Sequence, residues 1–428
     1  MSIQIKNIRI VDPASKIDKT GDIFIENGKI VAKLSSVPDK IIDGKNKIAV
    51  PGLIDIHSHL REPGQEEKET IATGTRSACK GGITTVFCMP NTKPVTDNAP
   101  SVEYILMKSQ KEGKVNVFPI GCITKGSLGQ ELAEIGILKK AGIVAVSDDG
   151  VPVSNSQIMR RALEYAKMFA IPVISHCEDK ELSKNGVMNA GKNSMILGLR
   201  GIPNQSEEVM VARDVMLAEL TSGHLHIAHV STAGSVELVR QAKKKGLNVT
   251  CETCPHYFTL TDDAVKTYDT NYKMNPPLRR QKDVDAVKEG LFDGTIDCIA
   301  TDHAPHTFED KNREFDLAPF GIIGFETLLS LVLNELVDKK VLSFNDAISK
   351  MTRNPAKIFS LHGRGTLSAG SIADITIIDT EYQYEYKKEN ILSKSKNSPF
   401  IGRKFKGGAV MTIVGGKISW SQKDGIIN

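Results

Sequence analysis

Leu53-Ile54-Asp55-Ile56-His57-Ser58-His59-Leu60-Arg61 decides how the rest of the chain is read, because a strand-like apolar run opening after Pro51-Gly52 ends on two histidines two apart. In a β-strand alternate side chains share a face, so both imidazoles leave together and can grip one metal ion. A lone His-x-His marks a core or a surface as readily as a metal site. The pattern gains force downstream, where His176, His229 and Asp302 each end another short apolar run.

Composition sets the frame. At 428 residues and 40% hydrophobic content the chain can bury a large core, as two or three domains or as one big barrel with an accessory piece. The net charge is +4, with 55 basic and 51 acidic residues interspersed, so no basic stripe calls for nucleic acid. The first thirty residues lack the pattern of a secretory signal, and no apolar run is long enough to span a bilayer. The expectation is a cytoplasmic, globular enzyme with no membrane partner. Seven cysteines, an odd number placed mostly in or beside apolar runs, suit reduced, buried thiols. Cys251-Glu252-Thr253-Cys254 is read as one strand-end and one loop cysteine, since no second pair accompanies it.

Around the opening stretch the chain divides. Ile3 to Val11, Ile23 to Ala32 with its Asn27-Gly28 turn, and Lys47 to Val50 after Asp43-Gly44 alternate apolar and polar residues, as half-buried hairpin strands do. Ala373 to Asp379, Val410 to Val414 and Lys417 to Trp420 repeat the pattern at the other end, so both ends are expected to meet in one small β-sandwich. Between them, strand candidates at 53–56, 84–88, 115–120, 143–146, 172–175, 225–228, 248–251 and 298–300 alternate with helical patterns at 68–79, 103–112, 157–168, 206–220, 235–244 and 325–336. That βα alternation belongs to a parallel sheet, and eight strands predict an α/β fold with a closed (β/α)8 barrel. The expected layout is 1–50 as the first part of the sandwich, 51–365 as the barrel and 366–428 as the return. Barrel enzymes keep their catalytic groups at the C-terminal strand ends. The ligand candidates fall there, after strands one, five, six and eight.

Imidazoles and carboxylates gathered at a barrel mouth suit zinc or a similar borderline metal. Four strand-end histidines plus Asp302 exceed what one tetrahedral zinc takes, and a second ion about 3.5–4 Å from the first wants a bridging carboxylate. Ser147-Asp148-Asp149-Gly150, past strand four, supplies two candidates. Asp and Gly are equally turn residues, so spacing alone leaves a plain turn open.

At this point the residues resemble a known family. Asp55-Ile56-His57-Ser58-His59-Leu60-Arg61-Glu62-Pro63-Gly64 and Ala300-Thr301-Asp302-His303-Ala304-Pro305-His306 are similar to the two signatures of dihydroorotases in the amidohydrolase superfamily, and Met89-Pro90-Asn91-Thr92 and Lys273-Met274-Asn275-Pro276-Pro277-Leu278-Arg279 fit as well. The resemblance runs from the first β module to the last hairpin and is to the bacterial-type class I group. In hydantoinases and allantoinases the bridging position is a carboxylated lysine; Val146-Ser147-Asp148-Asp149 stands here instead, a departure that marks class I and implies Asp149 as the bridge.

The resemblance further implies two zinc ions per subunit, with His57, His59 and Asp302 on one, His176 and His229 on the other, and a water or hydroxide between them. Asp302 would also pass the proton of that nucleophile to the departing amide nitrogen. Arg61 offers a planar fork for the substrate carboxylate, Asn91 and His306 add hydrogen bonds, and Asn275 with the Phe320-Gly321 backbone touches the ring amides. The implied reaction is reversible cyclisation of N-carbamoyl-L-aspartate to L-dihydroorotate in pyrimidine synthesis, by a homo-oligomer, a dimer, with aspartate carbamoyltransferase as a possible partner. A hydantoinase-type or allantoinase-type cyclic amidase is the competing enzyme reading, and a non-catalytic scaffold the competing class. The remaining histidines, His224, His226, His256, His303 and His362, are read as structural. Residues 306–319 suit a lid and a fixed surface loop equally.

Overall fold

Alternating patterns at the N-terminus become β1 (Ser2–Asp12), β2 (Ile17–Glu26), β3 (Lys29–Val31), β4 (Lys40–Asp43) and β5 (Ile48–Pro51) in the computed structural model, which describes residues 2–427. The barrel strands follow as β6 (Leu53–Ser58), β7 (Ile83–Cys88), β8 (Asn116–Pro119), β9 (Val146–Ser147) and β10 (Val173–Ser175). A short ribbon, β11 (Met188–Asn189) with β12 (Gly201–Ile202), precedes β13 (Leu225–Ile227), β14 (Val249–Thr253) and β15 (Cys298–Ile299). The chain then returns through β16 (Ile375–Glu385), β17 (Lys404–Val414), β18 (Lys417–Ser421) and β19 (Gly425–Ile426).

Eight strands from β6 to β15, the ribbon excepted, pair in parallel as β6-β7-β8 and β9-β10-β13-β14-β15. The parallel bridges Gly121↔Val146 and Ser58↔His303 join the two groups and close the ring. Several strands are shorter than their apolar runs. The fourth run begins at Ile143, yet only Val146–Ser147 forms regular strand. Its earlier peptide groups are still paired with the neighbouring β8 segment, Val144 N–H donating to Pro119 O at 3.2 Å and the Ala145 carbonyl accepting from Gly121 N–H at 3.1 Å, so the ladder is irregular rather than missing.

Helices cover the outside, and their ends follow the caps. The helix expected from Lys68 starts at Ile71 because Thr70 and Thr73 form a reciprocal capping box. The one expected from Glu103 starts at Ala99, since Asn98 accepts from Ser101 N–H at 3.1 Å and Pro100 sits in the first turn. The pattern over 325–336 resolves into Leu328–Val332 followed by a π-turn, Leu333–Val337, after a bend in which Gly324 O takes two amides. Inside the barrel, Phe359 packs edge-on against Phe87 of β7 at 4.9 Å and against His226 of β13 at 5.3 Å. This one ring thereby touches two strands of the barrel, β7 and β13. No helix among the described residues is long and apolar enough to cross a membrane, and all seven cysteines are buried and free.

Both chain ends meet in one hydrogen-bonded sheet, β3-β2-β1-β5-β16-β17-β18-β19 with β4 beside β1. It folds over its own core of Ile3, Ile5, Ile8, Ile25, Ile375 and Ile413. Asp374 bolts this module to the barrel. One carboxylate oxygen accepts from Gly415 N–H at 2.7 Å, and the other accepts from Asn116 Nδ2 of β8 at 3.1 Å and pairs with Arg364. Asp374→Ala takes the carboxylate from the half-buried Arg364 guanidinium and the acceptor from Gly415 N–H and Asn116 Nδ2, so unfolding stability should fall by about 1–3 kcal/mol. A denaturation midpoint equal to that of the parent protein would contradict this role.

Candidate active site

The groups singled out by sequence converge at the C-terminal mouth of the barrel. His57 is the last residue but one of β6 and His59 lies just past it; Asp149 lies just past β9, His176 past β10, His229 past β13 and Asp302 past β15. All six are buried. Asp149 sits at their centre: Oδ1 is 3.3 Å from His57 Nε2 and 3.8 Å from both His176 Nδ1 and His229 Nε2, and Oδ2 is 3.5 Å from His59 Nε2. Asp302 Oδ1 lies 3.1 Å from His59 Nε2 and 3.6 Å from His57 Nε2. His176 Nδ1 and His229 Nε2 are 2.8 Å apart.

Two triads, His57/His59/Asp302 and His57/Asp149/His229, have ligand atoms mutually within 4.8 Å. Buried polar atoms are nearly always hydrogen-bonded, yet His57 Nε2, Asp149 Oδ1 and His229 Nδ1 have no such partner. Nitrogen and oxygen donors held at these separations, with orphaned atoms among them, fit metal ions of the zinc type. The electrostatics agree. Burial by itself opposes ionisation of Asp149 and Asp302, but the surrounding imidazoles, His57 and His59 above all, hold both carboxyls below their ordinary range. Burial likewise pulls His57 down, and Asp149 and Glu252 overcome it and raise that imidazole well above its usual value. The carboxylates thus demand positive charge in a dry place, which metal cations supply with the imidazoles neutral.

The two aspartates after β9 divide their work. Asp148 turns away and accepts from Ile123 N–H at 2.8 Å, from Thr124 N–H at 3.1 Å and from the Thr124 hydroxyl. It ties the β9 loop to the loop after β8, and Asp149 is thereby aimed at the mouth. Arg61, His229 and Asp302 have φ of 61°, 34° and 48°. Such left-handed backbone costs non-glycine residues about 1–3 kcal/mol each and gathers at functional sites.

A cavity of about 800 Å³ opens above the cluster, lined by His59, Asp149, His176, His229 and Asp302 and also by Arg61, Asn91, Asn275, His306, Phe320 and Gly321. Arg61 Nε donates to Pro305 O at 3.2 Å, and Nη2 lies 3.4 Å from His306 Nε2. His306 Nε2 is also 2.8 Å from Phe320 O, and burial pulls this imidazole down to about 2, so it is neutral. Asn91 accepts from or donates to the site itself, with Oδ1 2.9 Å from His59 Nδ1 and Nδ2 3.3 Å from Asp149 Oδ2. Asn275 Nδ2 donates to Glu178 Oε2 at 3.0 Å.

Several groups escaped the sequence reading. Glu252 of β14, fully buried, holds His57 Nδ1 at 2.6 Å and lies 3.5 Å from His226 Nε2; burial opposes its ionisation, but His57 and His226 bring it down to about 2. A carboxylate behind a metal-ligating imidazole fixes its tautomer and orientation. The signal in the sequence is an acid inside a strand-like run, Val249-Thr250-Cys251-Glu252. Asp55 accepts from Thr301 N–H at 3.1 Å and His57 N–H at 3.2 Å, joining the two signature loops. Of the histidines read as structural, His226 rests on Glu252 beneath the site, and His303 stacks on Phe325 at 3.8 Å.

Asp149→Ala and Asp148→Ala should separate cleanly. The first removes the central anion and lowers metal content, measured by elemental analysis, whereas the second leaves every candidate ligand in place. The second unpins buried amides and lowers the midpoint of the metal-free protein by roughly the 1–3 kcal/mol equivalent of unsatisfied donors. Full metal content in the Asp149 variant would move the central role elsewhere.

Comparison with known proteins agrees with this geometry. The dihydro-orotase-like family model matches residues 46–235, and the amidohydrolase family model matches residues 227–419. The chain is 77% identical over 420 residues to the dihydroorotase of Endomicrobium trichonymphae, covering 98% of this chain and 100% of that one. It is 55% identical over 426 residues to the dihydroorotase of Geobacter metallireducens, covering 99% and 100%. Among solved structures, the L-hydantoinase (dihydropyrimidinase) from Arthrobacter aurescens superposes with a TM-score of 0.90 at 27% identity, over 100% of this chain and 97% of that one. The dihydropyrimidinase from Brevibacillus agri, with a TM-score of 0.85 at 24% identity over 99% and 96%, shares the fold. The chain belongs to the dihydroorotase family, metal-dependent cyclic amidohydrolases built on a (β/α)8 barrel.

Proposed function

We propose that this chain is a class I dihydroorotase, interconverting N-carbamoyl-L-aspartate and L-dihydroorotate in pyrimidine synthesis with two zinc ions bridged by Asp149. The observation that carries the reading is Asp149 Oδ1 facing His57, His176 and His229 within 3.3–3.8 Å. His57, His59 and Asp302 would hold one ion and His176 with His229 the other. When bound, the pair supplies an activated water and polarises the ring carbonyl.

The chain's own residues do the rest. Arg61 pairs its guanidinium with the substrate carboxylate that takes no part in the bond change. Asn91, Asn275, His306 and the Phe320-Gly321 backbone orient the ring against Asp302. Held ionised by its imidazole neighbours, Asp302 accepts a proton as the amide opens and returns it to the departing nitrogen. Ring closure runs the same transfers backwards. The reading takes residues 51–365 as the catalytic barrel and the two ends as its supporting module. It places the enzyme in the cytoplasm as a homodimer, with aspartate carbamoyltransferase as a partner.

A second reading, a hydantoinase-type cyclic amidase, draws on the 0.90 TM-score with L-hydantoinase. Arg61 in the cavity and Asp149 at the bridging place favour the first. Ring opening of dihydroorotate by zinc-loaded protein, run beside hydantoin and allantoin, decides between them. Dihydroorotate should be strongly preferred; preference for hydantoin would overturn the assignment.

Two variants test the roles. Asp302→Asn keeps the shape and one oxygen toward the metal, so turnover should fall ~10²–10⁴-fold while substrate binding survives; near-native turnover in both directions would remove Asp302 from proton transfer. Arg61→Lys keeps the charge but loses the two parallel hydrogen bonds, so KM for dihydroorotate should rise about ten-fold or more. An unchanged KM would refute the carboxylate clamp.

A further inference from the structure

Two lysines are buried beneath the barrel mouth, Lys273 and, within the segment that follows His306, Lys311. Lys273 Nζ donates to the main-chain carbonyls of Phe315 at 2.7 Å and Asp316 at 3.0 Å, and stands 4.7 Å from the centre of the Phe320 ring. Lys311 Nζ donates to the carbonyls of Pro319 at 3.0 Å, Gly321 at 3.1 Å and Lys273 at 3.4 Å. Every acceptor is backbone, and four of the five belong to residues 315–321. Among the described residues neither ammonium is in an ion pair; Asp316 near Lys273, and Asp269 and Asp310 near Lys311, are the acids that act on them from farther away.

Burying an ammonium without an adjacent carboxylate is costly. The cost registers as burial pulling Lys273 down to about 8 and Lys311 to about 7. An apolar chain of the same length would avoid that cost but leave the carbonyls of Phe315, Asp316, Pro319 and Gly321 without a donor, so what the ammoniums secure is this stretch of main chain. What an ammonium adds is several donors radiating from one point, enough to fix carbonyls that a loop leaves free. The main chain completes the knot: Gly321 N–H donates to Lys273 O at 2.9 Å, and the Thr270 hydroxyl donates to Lys311 O. Gly321, at φ +124°, has no room for a side chain, since a Cβ there would stand 2.7 Å from Ala304 Cβ. Lys273, Asp316, Pro319, Phe320 and Gly321 all face the cavity above the metal ligands.

We propose that Lys273 and Lys311 are positioning residues, a two-point latch that holds residues 312–321 over the cavity and sets the Phe320-Gly321 peptide for the substrate ring. The inference rests on the dihydroorotase reading only for what that peptide touches. Lys273→Met and Lys311→Met, each matching the lysine stem without its charge, test it by amide hydrogen exchange and steady-state kinetics. Amides of 312–321 should exchange faster while the barrel strands keep their protection, and KM for dihydroorotate should rise about ten-fold or more at nearly constant kcat, as loss of charge-assisted hydrogen bonds implies. Lys311→Gln, which restores shorter donors, should recover part of the protection. Parent-like exchange and KM in both Met variants would overturn the latch, and so would a uniform loss of protection across the barrel. If one Met variant fails to fold, the other decides. Exchange reads the latch without turnover, so inactivity of the parent toward dihydroorotate would sink the functional reading and leave this result standing.

Discussion

A buried carboxylate among four imidazoles is the constraint on which the barrel mouth depends. Asp149 is surrounded by His57, His59, His176 and His229, and Asp302 and Glu252 add two further acids within the same dry volume. Such charge is tolerable only when opposite charge is held at fixed distance. Every member comes from a different strand end except His57 and His59, so the arrangement exists only once the ring has closed. The closing bridge, Ser58↔His303, adjoins the contact between His59 and Asp302. Closure of the fold and assembly of the site are the same event.

The lesson from sequence follows from how far apart the partners lie. His57, His59, His176, His229 and Asp302 were legible as a cluster because each ends an apolar run, and a polar side chain at such a place breaks the pattern visibly. The eight-strand alternation was legible for the same reason. Asp149 against Asp148 was not decidable from spacing; resemblance pointed to Asp149, and the hydrogen bonds that occupy Asp148 supply the physical ground. Glu252, Lys273, Lys311 and Asp374 gave no local signal that was read. Their partners stand far along the chain or are main-chain carbonyls, which no residue pattern reports. Helix starts missed by a few residues were governed by caps, Thr70 and Asn98, that outweigh apolar periodicity.

The scaffold is common to cyclic amidases, as the superposition with L-hydantoinase shows. Substrate choice therefore belongs to the residues that line the cavity and not to the barrel. Arg61, strained at positive φ and braced by Pro305 O, lines the cavity that Asp149 and Asp302 also border. Asn91 spans the two tasks, since the amide that borders the cavity also touches His59 and Asp149. A change at such a residue reaches the cavity wall and the His59 and Asp149 side chains together.

The central claim is that Asp149 is the shared anion of a two-metal site. Anomalous diffraction from crystals of the zinc-loaded protein, collected on both sides of the zinc edge, tests it most directly. The account predicts two peaks about 3.5–4 Å apart, one beside His57, His59 and Asp302, the other beside His176 and His229, with the Asp149 carboxylate between them. A single fully occupied peak with Asp149 outside its coordination sphere, or a pair joined by another residue, would contradict it.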